Sequence, residues 1–254
     1  MNYSSNTELY GTNKYYLLFI KMIFLYFNLI HYCYADSKVK ILTLEIPGLH
    51  QEHHNGYYDK IINEILIKPG FAVLTTLPIK RGIMAFENQC EKCCISPANM
   101  DPNFHPYQGT QYLQTDPMGI AKAFVFTPIG ELAIKSLKEL KGKNIGVTRG
   151  VHYGKEFEQM KLKTFAVKDI SQNINKVNLK RIDAFIAYSP DVYLAFKKLG
   201  IKPFPHEKNS PIAIHYERLV CKGVELSFIN LFNRELAQMA AKKTETHINL
   251  LPLK

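Results

Sequence analysis

Short runs with the alternation of a β-strand recur along this chain between segments with helical spacing. Residues 38–45, KVKILTLE, alternate like a strand, and the apolar pairs Tyr57-Tyr58 and Ile61-Ile62 then follow one helical turn apart. Further strands are predicted at residues 71–76, 93–96, 121–127, 145–148, 164–167, 183–187, 212–216 and 219–221. Further helices are predicted at residues 79–88, 131–140, 170–179, 190–199 and 224–243. This alternation predicts an α/β fold of mainly parallel sheets with helices on both faces.

The first 35 residues have the composition of an export signal. An apolar run, YYLLFIKMIFLYFNLIHYCYA, follows a polar start, and its part after Lys21 is too short to span a bilayer comfortably. The Cys-Tyr-Ala sequence that ends at Ala35 fits the small-residue pattern of a cleavage site. A mature chain starting at Asp36 is therefore predicted. Two alternatives stay open, namely Met22 as the true start and an uncleaved N-terminal anchor.

The segment KGKNIGVTRGVHYGKEF, residues 141–157, predicts a strand that runs through a glycine into a helix. Such a junction presents backbone amides and favours anions. It contains neither G-x-G-x-x-G nor G-x-x-x-x-G-K-[ST], so no nucleotide site is predicted. The formal charge of +10 fits either a solvated basic surface or an anionic ligand or partner.

Four cysteines remain in the exported chain, Cys90, Cys93, Cys94 and Cys221. In an oxidising compartment they are expected to form disulfides. A bond between Cys93 and Cys94 is geometrically poor, because neighbours on a strand point to opposite faces. The run CEKCC has some of the spacing of a zinc site, but no second C-x-x-C follows, so no metal site is predicted.

The run LKELKGKNIGVTRGVHYGKEF resembles the start of the second lobe of bacterial family 3 extracytoplasmic solute-binding proteins, which read L-K-G-K-x-[IV]-G-V-x-x-G-[ST]-x-Y. Three other runs resemble family segments in the same order, NGYYDKIINEIL, RGIMAFENQCEKCCISPAN and NLKRIDAFIAYSP. Gln89 and Lys92 depart from a glycine and an aspartate of the family pattern. Together the four runs span about residues 38 to 225.

This resemblance implies a type II periplasmic-binding-protein fold, a two-lobed clamshell. The first lobe would comprise residues 36–126 and 212–254, and the second residues 127–211, with crossovers near residues 126–127 and 211–212. It also implies a periplasmic, monomeric, non-enzymatic protein without cofactor or nucleic-acid partner. Such a protein captures a small polar solute for a membrane permease. Alternatives are a sensing module that signals to a membrane receptor and an exported enzyme on a two-lobed scaffold.

The resemblance also implies where ligand contacts lie. Thr148, Arg149 and Tyr153 would form one jaw of the cleft. Tyr188 stands where amino-acid-binding members carry an aspartate for the ligand's ammonium group, and the usual carboxylate-binding arginine is missing from residues 97–109. Arg81 and Arg149 are the candidate replacements, since arginine recognises planar anions bidentately. An anionic solute held by Arg149 is therefore predicted.

The loop GLHQEHHNGYY would border the same cleft, and His54 is a candidate ligand contact in it. His50, His53 and His54 could alternatively ligate a metal, although an exposed polar loop is the preferred interpretation. Glu217 is assigned no role and is expected at the surface.

The shared first lobe also implies that Cys221 pairs with Cys90 or Cys93. Cys93–Cys221 is the bond chosen here.

Overall fold

The computed structural model describes residues 38–104, 107 and 109–245. The predicted export signal, the two alternative starts and the mature N-terminus at Asp36 lie outside these residues. Within the described ranges, no helix combines the length and the apolar character that a membrane span needs.

Nine strands of the described chain form one sheet. They are β1 (Val39–Leu44), β2 (Ala72–Leu77), β3 (Cys93–Ala98), β4 (Tyr112–Gln114), β5 (Gly119–Phe126), β6 (Ile145–Thr148), β7 (Thr164–Val167), β8 (Ala184–Ser189) and β9 (Ala213–Lys222). Their order is β2-β1-β3-β9-β5-β8-β6-β7, and β4 also pairs with β9. β1 is parallel to β2 and β3, and β6 is parallel to β7 and β8, whereas β9 is antiparallel to its three neighbours.

Helices cover both faces of this sheet. They are α1 (Tyr57–Ile62), which continues as a π-helical turn (Asn63–Ile67), α2 (Ile79–Gln89), a 3-10 turn (Leu137–Leu140), α3 (Lys155–Gln159), α4 (Ile170–Asn178), α5 (Asp191–Leu199) and α6 (Leu226–Glu245). Four apolar clusters result. The first cluster includes residues of α1 and α6, and the second includes residues of α2. The third includes residues of the 3-10 turn and α3, and the fourth includes residues of α4 and α5. The α/β fold class predicted from the sequence is confirmed.

Two predicted elements differ in the structure. The helix predicted at residues 131–140 is only the 3-10 turn, because Ser136 is extended, with φ −145° and ψ 154°, and the turn begins after it. The two extended segments predicted at residues 212–221 are the single strand β9. The short strand β4 was not predicted.

β9 connects the two parts of the sheet. Its residues Arg218 to Lys222 pair with β3, whereas Ala213 to Glu217 pair with β5. β5 in turn pairs with β8 over five residue pairs. The sequence analysis placed β5 in the first lobe, but its partner β8 belongs to the predicted second lobe. We therefore propose that the lobe boundary lies before β5, near residues 115–119, and between Glu217 and Arg218 on β9.

The cysteines form the bonds Cys94–Cys221 and Cys90–Cys93. The predicted pairing of Cys221 with Cys90 or Cys93 is wrong. Cys94 and Cys221 are direct partners in the antiparallel β3–β9 register, with Cα atoms 3.9 Å apart. Cys93 points to the opposite face of β3 and packs in the cluster beneath α2.

Replacing both Cys94 and Cys221 by alanine should lower the free energy of unfolding by about 2–5 kcal/mol, because this bond closes a sequence separation of 127 residues. Urea denaturation measures the change. The control is the double alanine variant of Cys90 and Cys93, whose separation is only 3 residues, and its loss should be smaller. Equal losses, or peptide mapping that finds Cys221 bonded to Cys93, would contradict the assignment.

Candidate functional site

A cleft lies where the two parts of β9 meet, beside β5. It is lined by Leu44, Ile46, Ile79, Ile83, Pro97, Ala121, Gly150, Val151, His152, Tyr188, His215 and Glu217. Leu44 ends β1, Gly150 follows β6 and Tyr188 is near the end of β8. The carboxyl end of β1, from one parallel part of the sheet, therefore meets the carboxyl ends of β6 and β8, from the other. Open α/β sheets bind their ligands at this kind of position.

The cleft is closed in this structure. It encloses about 70 Å³, less than the roughly 300–1,000 Å³ of typical ligand pockets. A Cβ at Gly150 would lie 3.2 Å from Ile79 Cγ2, and Gly48, in the loop after β1, packs against the side chain of Leu194. Both contacts join segments of the two predicted lobes. Entry of a solute therefore requires these segments to separate.

Glu217 is the acidic group of this cleft and was missed by the sequence analysis. It is only 5% exposed and accepts a hydrogen bond from the Tyr58 hydroxyl. Burial raises the pKa of Glu217 to about 8, and the nearby Asp191 adds to the rise, although the bond from Tyr58 opposes it. The sequence pattern favours the other face of β9, because Ile214 and Tyr216 are apolar and alternate with His215 and Glu217, yet Ile214 and Tyr216 are exposed and Glu217 is buried.

Asp191 is a second acid that acts on this cleft, and it is half-buried. No role was predicted for it from the sequence. It is the first residue of α5, and its Oδ1 atom is buried with no hydrogen-bond partner in the part of the chain that the structure describes. Burial raises the pKa of the Asp191 carboxyl to about 7. Asp191 also raises the pKa of Tyr188. Two acids therefore influence the cleft electrostatically.

Two tyrosines near the cleft, Tyr153 and Tyr188, have hydroxyl groups that bond to the backbone. Tyr153 and Tyr188 stack with ring centroids 5.6 Å apart. The Tyr153 hydroxyl accepts from the Thr148 N–H and donates to the Ile186 carbonyl, each over 3.1 Å. Tyr188 lines the cleft and donates to the His152 carbonyl over 2.9 Å. Tyr153 therefore orders the β6–α3 loop from inside the core, so in this conformation it cannot meet a ligand as predicted.

The other predicted contacts lie elsewhere. Thr148 has a buried hydroxyl without a partner among the described residues, and it is not part of the cleft lining. Arg149 lines a separate groove beside α4, and Arg81 is exposed on α2. His54 is exposed, with Nδ1 3.3 Å from Thr76 Oγ1. Of the six predicted ligand contacts, only Tyr188 is among the described residues that line the cleft.

His50 is buried, contrary to the expected exposed histidine loop. Its Nδ1 lies 2.7 Å from Asp59 Oδ1, and its Nε2 lies 2.9 Å from Ser96 Oγ. Asp59 also accepts the backbone N–H groups of Gln51 and Gly56. In space, His50 lies between Ser96 and Asp59, which is the arrangement of side chains in a hydrolytic triad. However, His50, Asp59 and Ser96 are each 0% exposed, so the network fixes the β1–α1 loop instead of meeting a substrate.

Burial sets the protonation of this network. It lowers the pKa of His50, although Asp59 opposes the effect. Burial alone would raise the pKa of Asp59, but its hydrogen bonds from His50, Gln51 and Gly56 outweigh burial and lower it. The described residues contain no group of three or more His, Cys, Asp or Glu side chains arranged to hold a metal ion.

No protein-family model and no curated protein matches the sequence. Several solved structures match the fold. The GluR0 ligand-binding core in complex with L-glutamate is 12% identical, with a TM-score of 0.66 over 84% of this chain and 96% of that one. An ancestral arginine-binding protein bound to arginine is 17% identical, with a TM-score of 0.60 over 82% and 94%. A histidine kinase sensor domain with similarity to periplasmic binding proteins is 12% identical, with a TM-score of 0.63 over 82% and 92%. At these identities the matches show the fold, which is that of type II periplasmic binding proteins.

The buried His50 predicts acid sensitivity. Its pKa is near 6.5 in the unfolded chain and lower in the folded one, so below about pH 6.5 the unfolded state binds more protons. Stability should therefore fall as the pH drops through this range. Urea midpoints between pH 5 and 8 measure the trend. His50→Gln should flatten it, whereas His53→Gln, at an exposed neighbour, should leave it unchanged. Because other groups also titrate in this range, the comparison between the proteins decides: a slope that is the same in wild type and in His50→Gln would contradict the assignment.

The buried Glu217 predicts that its own contribution to stability changes with pH in the opposite direction. Its folded pKa of about 8 exceeds the unfolded value of 4.5, so the folded state binds more protons between these values and loses stability as the pH rises through them. Glu217→Gln keeps a neutral acceptor for Tyr58, and it should stabilise the protein by about 1 kcal/mol or more at pH 8. At pH 4.5 the two proteins should be similar. Thermal melts of both proteins at pH 4.5 and pH 8 measure the difference. A variant that is less stable than wild type at pH 8 would contradict the raised pKa of Glu217.

Proposed function

We propose that this protein is a non-enzymatic, periplasmic solute-binding protein that captures a small polar solute between two lobes for a membrane transporter. The fold supports this function, since matching structures include an arginine-binding protein. The observation that carries the proposal is the cleft at the junction of the two sheet parts, with a buried acid, Glu217, in its wall.

The connection between the sheet parts suits a hinge. Thr115 N–H donates to the Leu219 carbonyl over 3.0 Å, and Met118 N–H donates to the Glu217 carbonyl over 2.8 Å. These bonds hold the segment before β5 against β9, where we place the lobe boundary. Closure around this segment would bury a solute and strengthen each of its polar contacts in a drier site.

The cleft lining favours a solute with an ammonium or other cationic group. Glu217 lines the cleft, whereas Arg81 and Arg149, the cations of the sequence-based prediction, do not. A nearby cation favours the ionised carboxylate. We therefore replace the predicted anionic solute by a cationic one. Because Glu217 binds a proton until about pH 8, the solute must displace this proton, and its affinity should rise between pH 6 and pH 8.

A second candidate function is a sensing module that signals closure to a membrane receptor. The matching histidine kinase sensor domain favours it, because the same fold serves sensing there. Neighbouring genes distinguish the two functions. A permease gene supports delivery to a transporter, and a kinase or cyclase gene supports sensing.

A thermal-shift screen with amines, amino acids, peptides and small anions tests the proposed function. A ligand at a hundred times its dissociation constant adds about 2.7 kcal/mol to the free energy of unfolding. Calorimetry should then show that Glu217→Gln weakens the best cationic ligand by about 1.5–3 kcal/mol, the value of a hydrogen bond to a charged group. Glu225→Gln, at an exposed acid outside the cleft, is the matched control.

Three outcomes contradict this proposal. One is a best ligand that is anionic and insensitive to Glu217→Gln. The second is equal weakening by Glu225→Gln. The third is chemical conversion of the ligand during incubation, which would indicate an enzyme.

A further inference from the structure

A basic groove lies between β7, at the edge of the sheet, and α4. We define it by four cations, Arg149, Lys168, Lys176 and Arg181, and two amides, Gln172 and Asn175. The groove is open to solvent and offers about 510 Å³, within the range of about 300–1,000 Å³ for ligand sites. The cleft and this groove share no lining residue.

The fold brings these cations together from separate segments. Arg149 directly follows β6 and Lys168 directly follows β7, so both lie at the carboxyl ends of adjacent parallel strands. The Arg149 N–H donates to the Val167 carbonyl over 2.8 Å, which fixes its backbone against β7. At the other end, the Arg181 N–H donates to the Lys176 carbonyl over 2.8 Å.

The helix contributes one face to the groove. Gln172 and Lys176 are four residues apart on α4, and Asn175 lies three residues after Gln172, so their side chains line the same side. The acid nearest in sequence, Asp169, accepts the Gln172 backbone N–H over 3.2 Å and caps the helix. It is not among the lining residues, which include no carboxylate.

The net positive charge of the chain is concentrated in residues 127–211, which contain all the residues of this groove. Residues 127–211 contain 16 lysines and arginines against 8 acidic residues. Residues 36–126 and 212–254 together contain 14 against 13. Four cations in one groove repel each other, and a bound anion would offset this repulsion.

We propose that the basic groove binds a phosphate-bearing ligand. Two arginines provide the planar donor pairs that recognise phosphate oxygens bidentately, and two lysines add point charges. The volume exceeds what a single inorganic phosphate fills, and Leu179, 58% exposed, gives the wall an apolar part. The ligand is therefore an organic phosphate, either a soluble one or the headgroup of an anionic lipid. The site is independent of the proposed cleft function.

Titration calorimetry with inorganic pyrophosphate at low salt tests the groove. The variant Arg149→Gln/Arg181→Gln should weaken binding by about tenfold or more, because it removes both bidentate donors. The matched control, Lys198→Gln/Lys202→Gln, removes two exposed charges from the same region outside the groove and should change affinity by less than about twofold. Circular dichroism checks that both variants fold.

Vesicle co-sedimentation separates the two sources of phosphate. Phosphatidylglycerol vesicles, compared with phosphatidylcholine vesicles, report on a lipid headgroup. If only the vesicles bind, and Arg149→Gln/Arg181→Gln abolishes their binding, the ligand is a lipid headgroup. If pyrophosphate binds and the vesicles do not, the ligand is a soluble phosphate. Failure of both to bind at low salt, or equal losses in the groove variant and the control, overturns the proposal.

Discussion

The pairing of β9 with both parts of the sheet is the interaction on which the rest of the structure depends. One half of the strand bonds to β3 and the other to β5, and the Cys94–Cys221 bond ties it to β3. The strand therefore carries a covalent anchor near its carboxyl end, at Cys221, and borders the cleft near its middle, at Glu217. Because Glu217 is the last residue of the β5-paired half, the same backbone register that joins the sheet parts also fixes the acid in the cleft.

The local elements could be predicted because their signals are local. The strand at Thr164–Val167 was predicted to the residue from its apolar and β-branched character. Pairing could not be predicted, since it depends on register between distant segments. Cys94, not Cys93, faces Cys221 because a one-residue difference on a strand changes the face. Likewise the polar sequence around His50 indicated an exposed loop, and its burial follows from Asp59 and Ser96, which lie 9 and 46 residues away.

The structure does not bring the predicted ligand contacts together, for a related reason. A motif gives the order of residues at a strand end, but the direction of each side chain depends on what packs beside it. Arg149 follows β6 as the resemblance implied, yet its backbone is bonded to β7 and its side chain lines the outer groove. Tyr153 turns inward because two backbone groups engage its hydroxyl. The polar side chains of the cleft lining are one acid, Glu217, one tyrosine, Tyr188, and two histidines, His152 and His215, and both predicted arginines lie outside it.

Because the arginines lie outside the cleft, the charge inside it depends mainly on the protonation of Glu217. In this structure Glu217 is buried, and burial is what raises its pKa to about 8, so its carboxyl holds a proton at neutral pH. On the proposed function, opening of the cleft would return water to the carboxylate and release this proton. A cationic solute can take the place of the proton, because it neutralises the buried carboxylate in the same position. On the proposed function, proton and solute therefore compete for one acid, and closure is linked to pH through the residue that holds the ligand.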